Sequence, residues 1–210
     1  MVKTLIFDFG GVIIRSDQSQ AVRRFKEIGV ADADKRLDKF QQFGIFGDLE
    51  EGKISAEDYL RELSLLAGHD VTWDEAAYAW RGYCAGLPQQ NLDALTKYRQ
   101  QGFRVLLLSN TNPFMMGWAR SNEFDGHGHG IDFYFHQVYT SYELCLSKPH
   151  ADIFQKVLEL ENLQPEDCIF VDDSERNVAT AQQLGIHTLC PKNNEDWTCA
   201  LEAMIEELNK

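Results

Sequence analysis

The fold is decided by a stretch near the start of the chain, Thr4-Leu5-Ile6-Phe7-Asp8-Phe9-Gly10-Gly11-Val12. Its short apolar run predicts a buried strand, and the two glycines that follow Asp8 predict a sharp turn. A strand that stops on a carboxylate and turns at once presents that carboxylate at the edge of a sheet. We therefore interpret Asp8 as a candidate nucleophile in a cleft.

Two later segments repeat this arrangement. Val105–Leu108 is followed by Ser109, and Cys168–Val171 is followed by Asp172 and Asp173. In an open parallel sheet, ligands bind in the crevice outside the carboxyl ends of the strands. We therefore expect the polar side chains at all three strand ends to face one crevice, although they lie far apart in sequence.

Apolar runs of four to six residues alternate with longer amphipathic stretches, which predicts βα units and a parallel sheet with helices on both faces. The remaining predicted strands are Val2–Phe7, Phe133–Tyr139 and Ile186–Leu189. The stretch of roughly 80 residues after the first strand predicts helices only. Its predicted helices are Ala21–Ile28, Lys35–Phe43, one capped by Ser55, Trp73–Tyr83 and Pro88–Gln101. A helical insertion into one α/β domain is the simplest interpretation.

The composition is that of a globular protein, with 44% hydrophobic and 25% charged residues. A formal net charge of −13 argues against nucleic acid and anionic membranes as partners, because both require basic patches. An acidic protein that binds an anionic substrate needs a metal ion or a few placed cations. The five cysteines form no CxxC pair, which favours a reducing cytoplasm. We expect no signal peptide and no transmembrane helix.

Lys148 is the candidate cation. It stands in Ser147-Lys148-Pro149, where the proline disfavours a helical conformation for the lysine. A lysine is a compact charge that can contact both a phosphate oxygen and a carboxylate. The carboxylates of Asp8 and Asp173 would repel each other in a cleft, and Mg²⁺ would relieve this because it prefers oxygen ligands.

Four motifs in this order resemble the haloacid dehalogenase (HAD) superfamily across the whole chain. They are Asp8-Phe-Gly-Gly-Val, Leu-Leu-Ser109-Asn110-Thr, Ser-Lys148-Pro and Phe-Val-Asp172-Asp173. Within it, the motifs are similar to those of bacterial α-D-glucose-1-phosphate phosphatases and of epoxide hydrolase phosphatase domains. The resemblance implies a Rossmann-like three-layer α/β/α core (residues 1–15 and 88–210) with an inserted helical C1-type cap (residues 16–87).

The resemblance also implies the role of each site residue. Asp8 is expected to form an aspartyl-phosphate, while Ser109 and the backbone amide of Asn110 hold the phosphoryl group and Lys148 neutralises it. Mg²⁺ is expected to bind Asp8, the Gly10 carbonyl and Asp173, with Asp172 in support. The expected function is that of a cytoplasmic, monomeric, Mg²⁺-dependent phosphatase acting on a small phosphometabolite, with a sugar phosphate such as a hexose 1-phosphate favoured.

The sequence departs from the superfamily pattern at Gly10, where most of its phosphatases carry an Asp that acts as general acid and base. Such a group contributes about a hundred- to ten-thousand-fold in rate. The substrate could have a good leaving group, as an anomeric phosphate does, or Arg15, Asp17, His69 or a water could supply the proton. Asn177 is a second departure, at a position that is Asp in many members.

Two other functions stay open on the sequence alone. A haloacid dehalogenase also lacks the second Asp and needs no metal, although the Asp172-Asp173 pair favours metal-assisted phosphoryl transfer. A weakly active phospho-ligand-binding or regulatory protein is the other alternative. The aromatic residues of the helical insertion are mostly interpreted as packing, with one of them free to face the cleft.

Overall fold

A computed structural model of the protein describes residues 1–210. The strands are β1 (Thr4–Phe7), β2 (Arg15–Ser16), β3 (Cys84–Gly86), β4 (Arg104–Ser109), β5 (Gln137–Thr140), β6 (Cys168–Val171) and β7 (His187–Leu189). The helices are α1 (Gln18–Glu27), α2 (Ala33–Arg36), α3 (Ile45–Glu50), α4 (Ala56–Ala67), α5 (Trp73–Trp80), α6 (Gln89–Gln100), α7 (Pro113–Ala119), α8 (Ser141–Leu144), α9 (Ala151–Glu161), α10 (Glu175–Gln183) and α11 (Thr198–Leu208).

Five strands form one parallel sheet in the order β5-β4-β1-β6-β7. Alternate residues of its central strands enter two separate apolar clusters, with Leu5 and Phe7 in one and Ile6 in the other. Successive side chains of a strand point to opposite faces, so the two clusters are the two layers between sheet and helices. The predicted Rossmann-like α/β fold is confirmed.

The predicted strands are present, with shifts at their ends. Phe133–Tyr139 is partly wrong, because a 3-10 helix occupies Ile131–Phe133 and the strand begins only at Gln137. The first and last predicted strands begin later than expected, at Thr4 and His187. Isolated apolar residues such as Val2 are buried without joining the ladder, so composition extends a predicted strand too far.

Residues 16–87, called the helical segment below, hold α1 to α5 but are not entirely helical. The antiparallel pair of β2 and β3 joins the two ends of the segment, which the sequence did not predict. The predicted helix Lys35–Phe43 is also wrong. Its region contains only the end of α2, and Asp38 Oδ1 instead accepts a hydrogen bond of 3.0 Å from the Phe40 amide. An Asp side chain that bonds a nearby amide competes with helix formation in this way.

Four aromatic residues form the centre of the helical segment. The Phe25 ring packs edge-on to Phe46 and Trp80, and Phe46 packs in the same way on Tyr59, at ring centroid distances of 5.1, 5.3 and 5.6 Å. All four side chains are buried. Edge-to-face contacts of this kind add to the free energy gained by burying the rings. α4 begins as predicted, with the Ser55 side chain accepting from the Asp58 amide.

The loop after β1 is held from two distant parts of the chain. Asn91 Nδ2 donates to the Val12 and Ile13 carbonyls at 2.9 and 3.0 Å. The indole Nε1 of Trp197 donates to the same Val12 carbonyl at 2.9 Å, and its ring packs on Phe7. These buried contacts fix the turn that follows Asp8. No helix of the protein is long and apolar enough to span a membrane.

Candidate active site

The carboxyl edge of the sheet brings together the polar residues that follow its central strands. Phe7 pairs with Leu107 of β4 and with Val171 of β6. Asp8 therefore lies level with Leu108 and Asp172, and Ser109 follows one residue later. All of the predicted site residues except Asp172 share one cleft, which is lined by Asp8, Gly10, Ser109, Asn110, Lys148 and Asp173 among others.

Lys148 lies at the centre of the site, with only 1% of its side chain exposed. Its Nζ atom donates to Asp8 Oδ1 at 2.7 Å, to Asp172 Oδ2 at 2.7 Å and to the Leu108 carbonyl at 2.8 Å. All three protons of the ammonium are therefore used. Burial opposes its charge, but the two carboxylates outweigh burial and raise the pKa of Lys148, so the side chain stays cationic.

Asn110 fixes the backbone that carries this lysine. Its amide Nδ2 donates to the Lys148 carbonyl at 2.8 Å, and its Oδ1 accepts from the Lys148 amide at 2.9 Å. This reciprocal pair links the end of β4 to the loop before α9. Ser109 is buried, and its Oγ donates only to the neighbouring Asn110 carbonyl, over a long distance of 3.3 Å. The hydroxyl hydrogen can rotate away from this contact and donate to a ligand oxygen instead.

Asp172 is saturated by protein groups. One oxygen accepts from Lys148, the other accepts from the Ser174 amide at 2.8 Å, and Asn177 Nδ2 donates to both at 3.1 and 3.0 Å. Asp172 is fully buried and does not line the cleft. It therefore orients Lys148, and Asn177 in turn orients Asp172.

Asp173 faces the cleft and has few partners. Its Oδ2 atom is buried and accepts no hydrogen bond of good geometry, but Lys39 Nζ from the helical segment lies 3.0 Å away as an ion pair. Burial raises the pKa of Asp173, while Lys39 lowers it in part. This oxygen therefore attracts a cation, and in this structure that cation is the Lys39 ammonium of the helical segment.

The candidate nucleophile, the Asp8 carboxyl group, is disfavoured in its ionised form. Burial raises the pKa of Asp8 to about 7, Lys148 opposes this shift, and the charges of Asp172 and Asp173 add to it. Oxygen atoms of the three carboxylates lie within 4.8 Å of one another. Such a group of acids with a single buried lysine is short of positive charge.

This donor set fits a hard divalent cation. Mg²⁺ takes oxygen ligands and commonly uses one or two carboxylates with substrate oxygens and water. Asp8 and Asp173 offer those carboxylates in the cleft, and the buried Asp173 Oδ2 is the atom without a good hydrogen bond. Gly10 lines the same cleft beside them.

The two glycines after the nucleophile candidate have different reasons to be present. Gly11 has φ +79°, and a Cβ atom there would lie 2.3 Å from Asp173 Oδ2. At Gly10 the nearest atom to such a Cβ is Ser16 Oγ at 4.0 Å. Glycine is therefore required at residue 11 by the backbone conformation and by the close approach of Asp173. At residue 10 a Cβ atom would enter open space.

We predict that Gly11→Ala destabilises the protein and Gly10→Ala does not. The left-handed conformation alone costs a non-glycine residue about 1–2 kcal/mol, and the clash with Asp173 adds to it. Urea titration of both variants measures the free energy of unfolding, with Gly10→Ala as the matched control. Equal stability of the two variants would contradict this account of the turn.

The proton donors considered from the sequence lie elsewhere. Arg15 is in β2, Asp17 caps α1 by accepting from the Ser19 amide, and His69 Nε2 contacts the Ile28 carbonyl. None of the three lines the cleft. The helical segment instead contributes Lys39, Phe40 and Glu50 to the cleft, together with the inner aromatic residues Trp80 and Tyr83.

Sequence reasoning missed Glu50. Burial raises the pKa of Glu50 to about 8, a hydrogen bond from Asn112 opposes the shift, and the charges of Glu51 and Asp8 add to it. An acidic residue near a helix end has no sequence signal that separates it from a solvated one. Only the packing of the helical segment over the sheet reveals it.

Comparison with known proteins defines the class. The chain matches the family of haloacid dehalogenase-like hydrolases over residues 2–185, and it belongs to that family. A D-ribitol-5-phosphate phosphatase of Bacteroides thetaiotaomicron is 40% identical over 205 residues, which cover 98% of this chain and 99% of that protein. The resemblance that the motifs indicated is thus confirmed.

Solved structures of similar proteins lead to the same family. A predicted HAD-like family hydrolase of Porphyromonas gingivalis is 38% identical with a TM-score of 0.92, and the match covers 98% of each chain. A HAD family enzyme of Bacteroides thetaiotaomicron, in complex with magnesium and inorganic phosphate, is 34% identical with a TM-score of 0.87. That match covers 95% of this chain and 99% of the other.

Proposed function

We propose that the protein is a Mg²⁺-dependent phosphatase that hydrolyses a small phosphorylated sugar or sugar alcohol through an aspartyl-phosphate on Asp8. The observation that carries the proposal is the buried ammonium of Lys148, 2.7 Å from Asp8 and from Asp172 at the carboxyl edge of the sheet. The similarity to a D-ribitol-5-phosphate phosphatase and to an enzyme solved with magnesium and phosphate supports it.

In this proposal each residue of the site has a defined task. Asp8 attacks phosphorus, Lys148 balances the charge of the transferring group, and Ser109 with the Asn110 amide holds the phosphoryl oxygens. Asp8, the Gly10 carbonyl and Asp173 would hold Mg²⁺, while Asp172 keeps Lys148 in place. Bound Mg²⁺ would offset the negative charge of the phosphate and of the carboxylates.

The helical segment is proposed to act as a cap, with the core formed by residues 1–15 and 88–210. It reaches the cleft through Lys39, Phe40 and Glu50. Phe40 is 43% exposed and offers an apolar surface to the non-phosphate part of a substrate, whereas the other aromatic residues that the helical segment brings to the cleft, Trp80 and Tyr83, are buried. The segment would thus select the substrate, and we propose that the protein acts as a monomer.

Two kinds of sugar phosphate are distinguished by their leaving groups. A hexose 1-phosphate releases an anomeric oxygen, which needs little protonation and suits a site with Gly10. A 5-phosphate of a sugar alcohol releases a primary alcohol, which needs a proton donor. The similarity to a D-ribitol-5-phosphate phosphatase supports the 5-phosphate of a sugar alcohol as the substrate. The missing carboxylate at Gly10 supports a hexose 1-phosphate.

A substrate panel tests the proposal. Phosphate release is measured from D-ribitol 5-phosphate, glucose 1-phosphate and other phosphometabolites, with Mg²⁺ and with a chelator, beside halide release from haloacids. We expect phosphate release that needs Mg²⁺ and no halide release. Phosphate release that persists in chelator, or halide release without metal, would overturn the mechanism.

A further inference from the structure

Glu50 occupies an unusual position among the acidic residues of the helical segment. It is the last residue of α3 and lines the cleft that also contains Asp8. Its neighbours Asp48 and Glu51 both contact Lys53, at 3.7 and 2.5 Å, whereas Glu50 takes part in no ion pair. A largely buried carboxyl group that has no cation as a partner is favoured in its protonated form.

The partner of Glu50 is a neutral amide. Asn112 caps α7, and its Oδ1 is occupied because it accepts from the Met115 amide at 3.1 Å. This leaves the Asn112 amide hydrogens for the Glu50 carboxyl, whose pKa the contact lowers only in part. Asn112 is thus a neutral partner, which leaves the Glu50 carboxyl without a compensating charge.

The surrounding groups do not supply a compensating charge. The titratable or charged groups around Glu50 in the cleft are Glu51 on its own helical turn, Tyr59 of α4, Tyr83 after α5, Asp8 of the core, and Lys39 and Lys148 across the cleft. His150 and Arg176 line a second cleft that Glu50 also borders, and neither of them shifts the pKa of Glu50. Glu143 of α8, which packs against α3, is paired with Arg120. Lys39 and Lys148 are held by Asp173, Asp8 and Asp172. Burial, the largest influence, therefore raises the pKa of Glu50 to about 8.

We propose that Glu50 is the acid and base of the reaction, supplied from the helical segment in place of the carboxylate that Gly10 lacks; this rests on the proposed function. Asp8 attacks phosphorus, the P–O bond to the leaving group breaks, and the Glu50 proton passes to the departing alkoxide oxygen. Water then attacks the phosphorus of the aspartyl-phosphate and gives a proton back to Glu50. The bond to Asp8 breaks, phosphate leaves, and both carboxyl groups return to their starting states.

This assignment broadens the substrate class to primary alkyl phosphates, whose leaving groups need protonation. It also explains why Gly10 is tolerated, because the proton donor comes from the opposite side of the cleft. Proton transfer by a positioned carboxyl matters most for poor leaving groups and least for good ones. The dependence of rate on the leaving group is thus the property that identifies the role of Glu50.

The test compares Glu50→Gln with the unmodified protein on D-ribitol 5-phosphate and para-nitrophenyl phosphate. Glutamine keeps the size of a protonated glutamate, so the fold is retained, as the melting temperature checks. We expect kcat on D-ribitol 5-phosphate to fall about a hundred- to ten-thousand-fold, and kcat on para-nitrophenyl phosphate by less than about tenfold. The fall of kcat/KM above about pH 8 should disappear in the variant, because it reports loss of the Glu50 proton. Glu51→Gln, adjacent but paired with Lys53, is the matched control and should retain both activities.

An equal loss on both substrates would overturn the assignment, because a merely structural role does not depend on the leaving group. Unchanged kcat on D-ribitol 5-phosphate would overturn it as well, while the proposed function would stand. If the unmodified protein releases no phosphate from either substrate with Mg²⁺, the proposed function itself fails and this assignment fails with it. Gly10→Asp in the Glu50→Gln background should raise turnover of D-ribitol 5-phosphate selectively, and an equal rise on both substrates would count against the assignment.

Discussion

Replacement of Asp8 by asparagine is expected to abolish phosphate release, with turnover falling by about ten-thousand-fold or more. Asparagine has the size of aspartate and can still accept a hydrogen bond from Lys148 through its amide oxygen. It lacks the nucleophilic carboxylate, so no aspartyl-phosphate forms. Phosphate release at saturating Mg²⁺ is the measurement.

The same variant should be at least as stable as the unmodified protein. Burial and the charges of Asp172 and Asp173 raise the pKa of Asp8 to about 7, so its ionised form is disfavoured in the folded state. Lys148 keeps Asp172 as its ion-pair partner in this variant, so no charge is left unpaired. A neutral amide at residue 8 removes the cost of ionising Asp8 above pH 7, and the melting temperature there should stay equal or rise. Asp74→Asn, on the exposed first turn of α5, is the control for activity and should be silent. Residual turnover above about 1% would remove Asp8 from the nucleophile role.

Replacement of Lys148 by methionine is expected to eliminate activity and to destabilise the fold. The lysine is buried between Asp8 and Asp172, and methionine leaves both carboxylates without their cation. Removing one partner of a buried ion pair costs about 3–5 kcal/mol. Urea unfolding measures the loss, and Lys156→Met, which breaks only the exposed pair with Glu159, should cost less than about 1 kcal/mol.

The pH dependence of this loss provides a second readout. Lys148 lowers the pKa of Asp8, so its removal raises the pKa of that carboxyl further in the folded state. When the pKa of a carboxyl group is higher in the folded state than in the unfolded state, the free energy of unfolding falls as the pH rises from the lower pKa to the higher one. The deficit of Lys148→Met should therefore be largest above pH 7 and should shrink toward pH 5. A deficit that does not change with pH would show that packing, and not charge, explains it.

The part of the site that could be predicted from sequence is the part built by strands. Asp8, Ser109 and Asp172 each follow a continuous apolar run, and the carboxyl edge of a parallel sheet brings such ends together whatever the rest of the chain does. Lys148 follows no predicted strand, so its identification needed a different signal. Its place before Pro149 made it the candidate cation, and the order of the four motifs, with the resemblance to a family, implied its role.

The contributions of the helical segment could not be predicted in this way. Lys39 lies in a region that was expected to be helical and is not, because Asp38 bonds the backbone locally. Glu50 reaches the cleft through the packing of α3 against α4 and α8, which involves contacts distant in sequence. Local patterns determine such short helices but not where they dock, and docking decides which acidic residue faces Asp8.

The contacts of the loop after β1 have a consequence for biosynthesis. Asp8 is synthesised long before Asn91 and Trp197, which hold its turn, and Trp197 follows every residue of the proposed site in the chain. A nascent chain in which β1, β4 and β6 have already paired still lacks the indole that closes this turn. Since domains fold as units during synthesis, Asp8 gains its final surroundings only after residue 197 has been added. Translation order thus delays completion of the proposed site until the chain has passed residue 197.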